Sequence, residues 1–227
     1  MNIPDNVIRQ KLQNVYFIWG SGKTTAANEL HRRYGFYVYH TDESRAWHFK
    51  NADPQYQPAL CRDVPDVFAL DPEDAGQWEK EIVREFTPMV IADLIALAAQ
   101  HEGVICEGDI DIDAVVPVVS HAVTISNYGS PYDFFDRPGQ HNMLDEIRGR
   151  TDLTDGEKEE RIRKAYQIVG SEPGGEKKEP VREIPRETVL YGVKQIIRDD
   201  TTTVAQTADQ IAAYFELTKH KRRRRVQ

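Results

Sequence analysis

A short glycine-rich segment, Gly20-Ser21-Gly22-Lys23-Thr24-Thr25, carries the most specific chemistry in the sequence. It follows the apolar, β-forming run 15–19 and precedes a stretch with helical spacing. Between a strand and a helix, backbone amides and the helix N-terminus surround phosphate oxygens, while Lys23 reaches the terminal phosphates and Thr24 ligates Mg²⁺. The segment therefore predicts a nucleotide-phosphate site formed by all six residues.

This segment is three residues shorter than the full phosphate-loop pattern, G-x-x-x-x-G-K-[ST]. Counting back five positions from Gly22 reaches Phe17, which lies inside the predicted strand. Three additional residues between Gly20 and Ser21 would restore the pattern, and they would span roughly 10 Å of extended chain. Two explanations stay open at this stage: a true deletion, which would weaken phosphate binding, or residues of the natural chain that this sequence lacks.

Strand and helix signals alternate along the chain and predict the scaffold that positions this segment. Runs of β-forming residues predict five strands, at 15–19, 36–40, 104–106, 122–126 and 192–197. Helical spacing and start signals predict helices at 24–34, 71–100, 142–150, 154–169 and 203–217. The alternation predicts an α/β fold with a parallel sheet and a ligand site at the carboxyl ends of the strands.

The length of 227 residues and the 40% hydrophobic content predict one main domain, 1–218, around a single core. Residues 43–80 show little periodicity, and we expect them to form an acceptor-binding insert. Residues 131–182 are charged and helical, and we expect a lid that ends in a flexible connector. The basic end, 219–227, is expected to be a disordered tail.

Composition narrows the classes of partner. The net charge is −8 although the tail is basic, so the acidic body argues against a general nucleic-acid surface and leaves only the tail as a candidate for RNA or an anionic membrane. The two cysteines, Cys61 and Cys106, have neither disulfide nor metal-ligand spacing, and a cytoplasmic location is expected. No apolar stretch is long and uninterrupted enough to predict a membrane span. The sequence does not predict the oligomeric state.

Taken together, these segments resemble the nucleoside-monophosphate-kinase-like and shikimate-kinase-like branch of the P-loop kinases. The likeness depends on the glycine-rich segment with its helix, on Tyr-Gly-Phe-Tyr-Val-Tyr-His-Thr-Asp from Tyr34 to Asp42, and on Cys-Glu-Gly from Cys106. The chain is also similar to the small antibiotic and sugar phosphotransferases of that branch, including chloramphenicol phosphotransferase and gluconate kinase.

The resemblance implies a P-loop NTPase fold, three-layer α/β/α, with a five-stranded parallel sheet in the order 2-3-1-4-5 and a helical lid. It implies ATP and Mg²⁺ as cofactors and a small-molecule acceptor held between the insert and the lid. Asp42 matches the position of an acid that orients or deprotonates the acceptor hydroxyl in similar kinases, although a turn or N-cap aspartate is the alternative. Arg198 follows strand five, where the adenine-contact loop of similar kinases lies.

Other polar residues fit the needs of phosphoryl transfer, which depends on positioning and charge neutralisation. Glu107 ends strand three and is a candidate for holding a Mg²⁺-bound water or the acceptor, with a capping or salt-bridged role as the alternative. Asp109, Asp111 and Asp113 would lie on one side of the chain if that segment were extended. Arg137 and Arg148 are the lid arginines put forward to close on the γ-phosphate, and three further arginines of the lid stay open as alternatives: Arg150, Arg161 and Arg163. The insert adds candidates for acceptor binding, namely Arg45, His48 and Arg62.

The sequence therefore favours an ATP-dependent small-molecule kinase. The short glycine-rich segment keeps a second hypothesis open, a catalytically degenerate P-loop protein that binds a nucleotide or a partner without turnover. A third hypothesis is an NTP-hydrolysing switch or RNA-associated protein that uses the basic tail.

Overall fold

A computed structural model of the chain describes residues 4–127, 141–168, 185–199 and 201–217. Five strands are present in these ranges: β1 (Val15–Gly20), β2 (Tyr37–His40), β3 (Val104–Glu107), β4 (His121–Asn127) and β5 (Lys194–Arg198). The helices of the same ranges are α1 (Asp5–Lys11), α2 (Lys23–Tyr34), α3 (Thr41–Lys50), α4 (Pro72–Ala98), α5 (Ile112–Val115), α6 (His141–Gly149), α7 (Asp155–Ile168), α8 (Arg186–Tyr191) and α9 (Val204–Tyr214).

The strands form one parallel sheet in the order β2-β3-β1-β4-β5, which confirms the predicted fold. Register places Ile18 of β1 beside Glu107 of β3, and Glu107 in turn beside His40 of β2. On the other side of β1, Gly20 lies beside Ile125 of β4. The carboxyl ends of four strands therefore meet around the residue where the glycine-rich segment begins.

Helices cover both faces of the sheet, because successive side chains of each strand point to opposite faces. Phe17 belongs to a core shared with Phe86 and Val90 of α4, whereas Ile18 belongs to a core shared with Leu30 of α2 and Ile211 of α9. All six of these side chains are buried. The two cores fix β1 rigidly between layers and hold its carboxyl end in place.

Local signals account for the best-predicted helices. Gly35 ends α2 in the left-handed conformation, with a φ of 74°, as expected of a glycine at that position. Thr154 and Glu157 form the predicted capping box, since each side chain accepts a hydrogen bond from the other's backbone amide. A second capping box, between Thr203 and Gln206, begins α9.

Parts of the chain differ from the prediction. The insert begins with α3, so Asp42 lies in the first turn of a helix that directly continues β2. Residues 109–113 are not extended: Asp111 caps α5 by accepting hydrogen bonds from the amides of Asp113 and Ala114. The three aspartates 109, 111 and 113 consequently do not share one face of a strand. Two short helices, α1 and α8, had no counterpart in the prediction.

Helices α6 and α7 pack against the insert. Leu144, Ile147 and Ala165 form a small buried cluster that contacts Phe68. The carboxylate of Asp66 accepts hydrogen bonds from the guanidinium groups of two arginines in this region, Arg150 and Arg161. The connector after α7 and the basic tail lie outside the described residues. Nowhere in the described ranges is a helix both long enough and apolar enough to cross a bilayer.

Candidate functional site

A two-residue link joins β1 to α2. Gly20 has a φ of 84°, and a Cβ there would lie 2.0 Å from the carbonyl oxygen of Ile125. Only glycine fits this close approach to β4. The amide of Ser21 donates a 2.9 Å hydrogen bond to the same carbonyl of Ile125. The first amide of the link is therefore used by the sheet, and the amides of the first turn of α2 remain to face an anion.

Lys23 and Thr24 begin α2 and lie next to Glu107. The Thr24 hydroxyl donates a 3.0 Å hydrogen bond to Oε2 of Glu107, and the ring of His40 pairs with Oε1 of the same carboxylate. Glu107 is 3% exposed, so its charge depends on these two partners. Lys23 is half-buried and makes no salt bridge to any residue that the structure describes. An amine, a hydroxyl and a carboxylate thus converge at the carboxyl edge of the sheet.

Asp42 faces this cluster from the start of α3. Partial burial raises the pKa of its carboxyl group although the residue remains exposed, and the negative charge of Asp109 adds to the rise. Lys23 acts in the opposite direction, and Glu107 contributes a further rise. The structure therefore places Lys23, Thr24, Asp42 and Glu107 near one another, and Asp109 and His40 lie beside them.

Arg198, at the end of β5, lies against the glycine-rich link. A Cβ built on Gly22 would be 2.0 Å from Nη1 of Arg198, and Gly22 has a φ of 77°. Nε of Arg198 is buried and has no hydrogen-bond partner among the described residues. The guanidinium therefore lies beside the link, next to the N-terminus of α2. The prediction placed this residue beside an adenine base.

An open cavity of about 850 Å³ borders the link. One end is formed by Trp19 and Gly20 at the end of β1, and residues 108–113 form a second wall. The side of α4 that carries Lys80 and Arg84 forms a third, and residues 186–187 at the start of α8 complete the lining. The cavity is large enough for a small-molecule substrate and reaches Gly20, the residue that precedes the link.

The insert residues predicted to bind an acceptor do not line this cavity. Arg45 forms a bidentate pair with Glu79 at 2.8 Å, and Arg62 binds Glu81 at 2.9 Å. His48 is 1% exposed. Its Nε2 lies 3.1 Å from the hydroxyl of Tyr39 and 3.0 Å from Oδ2 of Asp93, and burial lowers the pKa of its ring, with the charge of Asp93 opposing the change.

Of the two arginines put forward for the lid, the structure describes only Arg148. Arg148 of α6 pairs with Asp145 one turn earlier, at 2.9 Å, on an exposed surface. Arg137 lies outside the described residues. Among the other arginines of the region, Arg150 and Arg161 both bind Asp66, and Arg163 pairs with Glu160.

The donor set fits a magnesium nucleotide better than a protein-held metal ion. In the described ranges no group of three or more histidine, cysteine, aspartate or glutamate residues is arranged to hold a metal. Mg²⁺ in phosphoryl-transfer sites takes one or two protein oxygens, and phosphates and water supply the rest. Thr24 Oγ1 would bind the ion directly and Glu107 through a water.

The site also contains residues that the sequence did not single out. His40 could have been noticed because it ends β2, two positions before Asp42. Lys80 and Arg84 gave no such signal, since charged residues four apart on a helix usually form a solvated face.

Comparison with known proteins yields similar structures only. No protein-family model matches the sequence, and no curated protein is similar enough to count as a relative. Solved structures that are similar include a candidate kinase from Chloroflexus aurantiacus J-10-fl, with 11% identity, a TM-score of 0.43, and coverage of 89% of this chain and 99% of that one. A sugar kinase from Janibacter sp. HTCC2649 has 12% identity and a TM-score of 0.33, covering 91% of this chain and 96% of its own.

Dephospho-CoA kinase from Campylobacter jejuni has 14% identity and a TM-score of 0.35, with coverage of 90% of this chain and 97% of the kinase. All three scores lie below 0.5. Similarity at this level establishes neither a family nor an activity for the present chain.

Proposed function

We propose that this protein is an ATP-dependent kinase that transfers the γ-phosphoryl group to a hydroxyl of a small molecule. The observation that carries the proposal is the 3.0 Å hydrogen bond from Thr24 to Glu107, directly beside Lys23 at the N-terminus of α2. This arrangement offers a magnesium ligand, a carboxylate for a magnesium-bound water, and an ammonium group for the terminal phosphates.

The short link changes how phosphate would be held. Because the Ser21 amide is bonded to Ile125, fewer amides are available than in a full phosphate loop. Arg198 lies over Gly22, and its guanidinium supplies a positive charge and several donors at that place. We therefore assign Arg198 to the phosphates instead of the base.

The reaction follows from the position of the acids. The acceptor oxygen attacks the γ-phosphorus, the bond from that phosphorus to the bridging oxygen of ADP breaks, and the acceptor proton passes to a carboxylate. Asp42 is the base, held near Lys23 and Asp109, and the cavity beside Gly20 holds the acceptor. When bound, Mg²⁺ neutralises charge on the phosphate oxygens.

Lys23 tests this function most directly. The full chain should bind ATP-Mg²⁺ in calorimetry and should form ADP only when a suitable hydroxyl acceptor is present. Lys23→Ala should abolish transfer, whereas Lys11→Ala, which changes an exposed lysine of α1, should have no effect. Failure of the wild-type chain to bind ATP-Mg²⁺ would remove the proposal.

A degenerate protein that binds nucleotide without turnover is the second candidate, and the two-residue link favours it. Sequencing the coding DNA across Trp19 to Lys23 separates the two explanations of the missing residues. Three additional codons would remove the main support for degeneracy. If none are present, ADP formation by the chain as it stands decides between the candidates.

A further inference from the structure

The cavity beside Gly20 carries an uneven distribution of charge. Acidic residues outnumber basic residues in its lining, but several of the acids are paired with arginines. Glu79 and Glu81 of α4 pair with Arg45 and Arg62, neither of which lines the cavity. On the wall opposite, Asp113 is held by Arg186 through two hydrogen bonds of 2.8 and 2.9 Å.

Two cations of the same cavity have no such partners. Lys80 and Arg84 both line it, and neither makes a hydrogen bond or salt bridge to a residue within the part of the chain that the structure describes. They are four residues apart on α4, so their side chains are neighbours on one face of the helix. Like charges at this spacing are unfavourable.

This arrangement is notable because carboxylates are close in sequence. Glu81 of α4 lies three positions before Arg84, a spacing that permits a pair, yet its carboxylate accepts hydrogen bonds from Arg62 and Gln77. Lys80 and Arg84 are consequently left as adjacent donors on the α4 wall. Asp109, an acid of the 108–113 wall, lies near Asp42.

We propose that Lys80 and Arg84 bind an anionic group of the acceptor, so that the substrate is a hydroxyl compound carrying a carboxylate or a phosphate ester. The inference rests on the proposed kinase function and specifies its substrate class. The acceptor hydroxyl lies toward Asp42 and Asp109, where transfer takes place, and the anionic group lies toward α4. The guanidinium of Arg84 can contact two oxygens of such a group, and the ammonium of Lys80 adds a point charge.

The test compares matched compounds by calorimetry on the full chain. Three sets each contain a neutral member and its anions: glycerol with glycerate and glycerol 3-phosphate, glucose with gluconate and glucose 6-phosphate, and adenosine with AMP. At least one anionic member should bind about tenfold or more tightly than its neutral counterpart, as expected of charge-assisted hydrogen bonds. Whether carboxylates or phosphates bind more tightly identifies the group.

Variants connect this preference to α4. Lys80→Gln/Arg84→Gln should abolish the discrimination, whereas Lys11→Gln should preserve it. AMP binding is measured again in the presence of a saturating non-hydrolysable ATP analogue. The analogue occupies the proposed ATP site, so the AMP that still binds must bind elsewhere. The proposal is overturned if neutral members bind as well as anions, if no anion binds at millimolar concentration, or if the double variant still discriminates.

The same measurements keep the two proposals separate. Phosphorylation of neutral acceptors alone would leave the kinase function intact and overturn the anionic substrate class. If the chain does not bind ATP-Mg²⁺ but binds anions through Lys80 and Arg84, the anion site is supported and the kinase function is overturned.

Discussion

The guanidinium of Arg198 lies so close to Gly22 that a Cβ at Gly22 would be 2.0 Å from Nη1. The two residues are far apart in sequence and belong to different strand ends. Their contact places a cation beside the two-residue link between β1 and α2, where we propose that the nucleotide phosphates bind.

Gly22→Ala should combine backbone strain with displacement of Arg198. Alanine at a φ of 77° costs about 1 kcal/mol of folding free energy, because L side chains avoid this region. Gly35→Ala is the matched control, since Gly35 has a φ of 74° and no atom within 4 Å of an added Cβ. Both variants should lose similar stability in denaturant titrations, but only Gly22→Ala should weaken ATP binding. Equal ATP affinities in the two variants would contradict the contact's role.

Arg198→Gln should reduce affinity for ATP by about tenfold or more, because a charge-assisted contact with phosphate is lost. Adenosine affinity should stay unchanged, as no base contact is removed. Lys194→Gln, on the same strand and exposed, serves as the control. If adenosine and ATP weaken by the same factor, Arg198 contacts the base, as the sequence alone predicted.

Thr24→Val should lower turnover by about 10²-fold, because the variant keeps the side-chain shape but removes the oxygen that bonds to Glu107 and that we propose binds Mg²⁺. Thr24→Ser should retain most of the activity. The magnesium dependence of ADP formation is the measurement, and Thr24→Val should require a higher magnesium concentration. An unchanged magnesium requirement would place the ion elsewhere.

Asp42→Asn should reduce turnover by about 10²-fold while ATP binding is retained, if the carboxylate is the base. The ionised form must be present, so turnover should rise with pH through a pKa that burial and Asp109 hold above the usual value. Asp109→Asn removes a negative neighbour, which lowers the pKa of Asp42. The acidic limb of the pH profile should therefore move to lower pH.

The control for this shift is Asp113→Asn, because Asp113 is bound to Arg186 and is not among the largest charge effects on Asp42. Lys23, Arg45 and Glu107 remain in place in both variants. An acidic limb that does not move in Asp109→Asn would show that another group limits turnover.

Asp66→Asn should loosen the packing of α7 against the insert, because Arg150 and Arg161 both bind its carboxylate. Amide exchange in α7 should become faster by roughly two- to tenfold, as expected when exposed ion pairs are lost. Asp145→Asn removes only a surface pair with Arg148 and should leave α7 exchange unchanged. Equal exchange in both variants would assign the docking to apolar contacts alone.

The sequence by itself determined the features that depend on neighbouring residues. Apolar runs identified the strands, Gly35 identified the end of α2, and the spacing of Thr154 and Glu157 identified a helix start. The positions of Lys23, Asp42 and Glu107 followed as well, since parallel strands end at one edge of a sheet. The sequence left the insert as irregular or partly helical and did not place helix α3, because residues 41–50 are largely polar and show little helical periodicity.

Only the tertiary structure decided which distant residues share a site. Sequence periodicity indicates contacts between residues a few positions apart. The proximity of Arg198 to Gly22, and the placing of Lys80 and the end of β1 around one cavity, depend on how the layers pack around the sheet. The same packing enclosed His48 beside Tyr39 and Asp93, away from the cavity. Residue type shows what chemistry a side chain can do, but the fold determines which groups surround it.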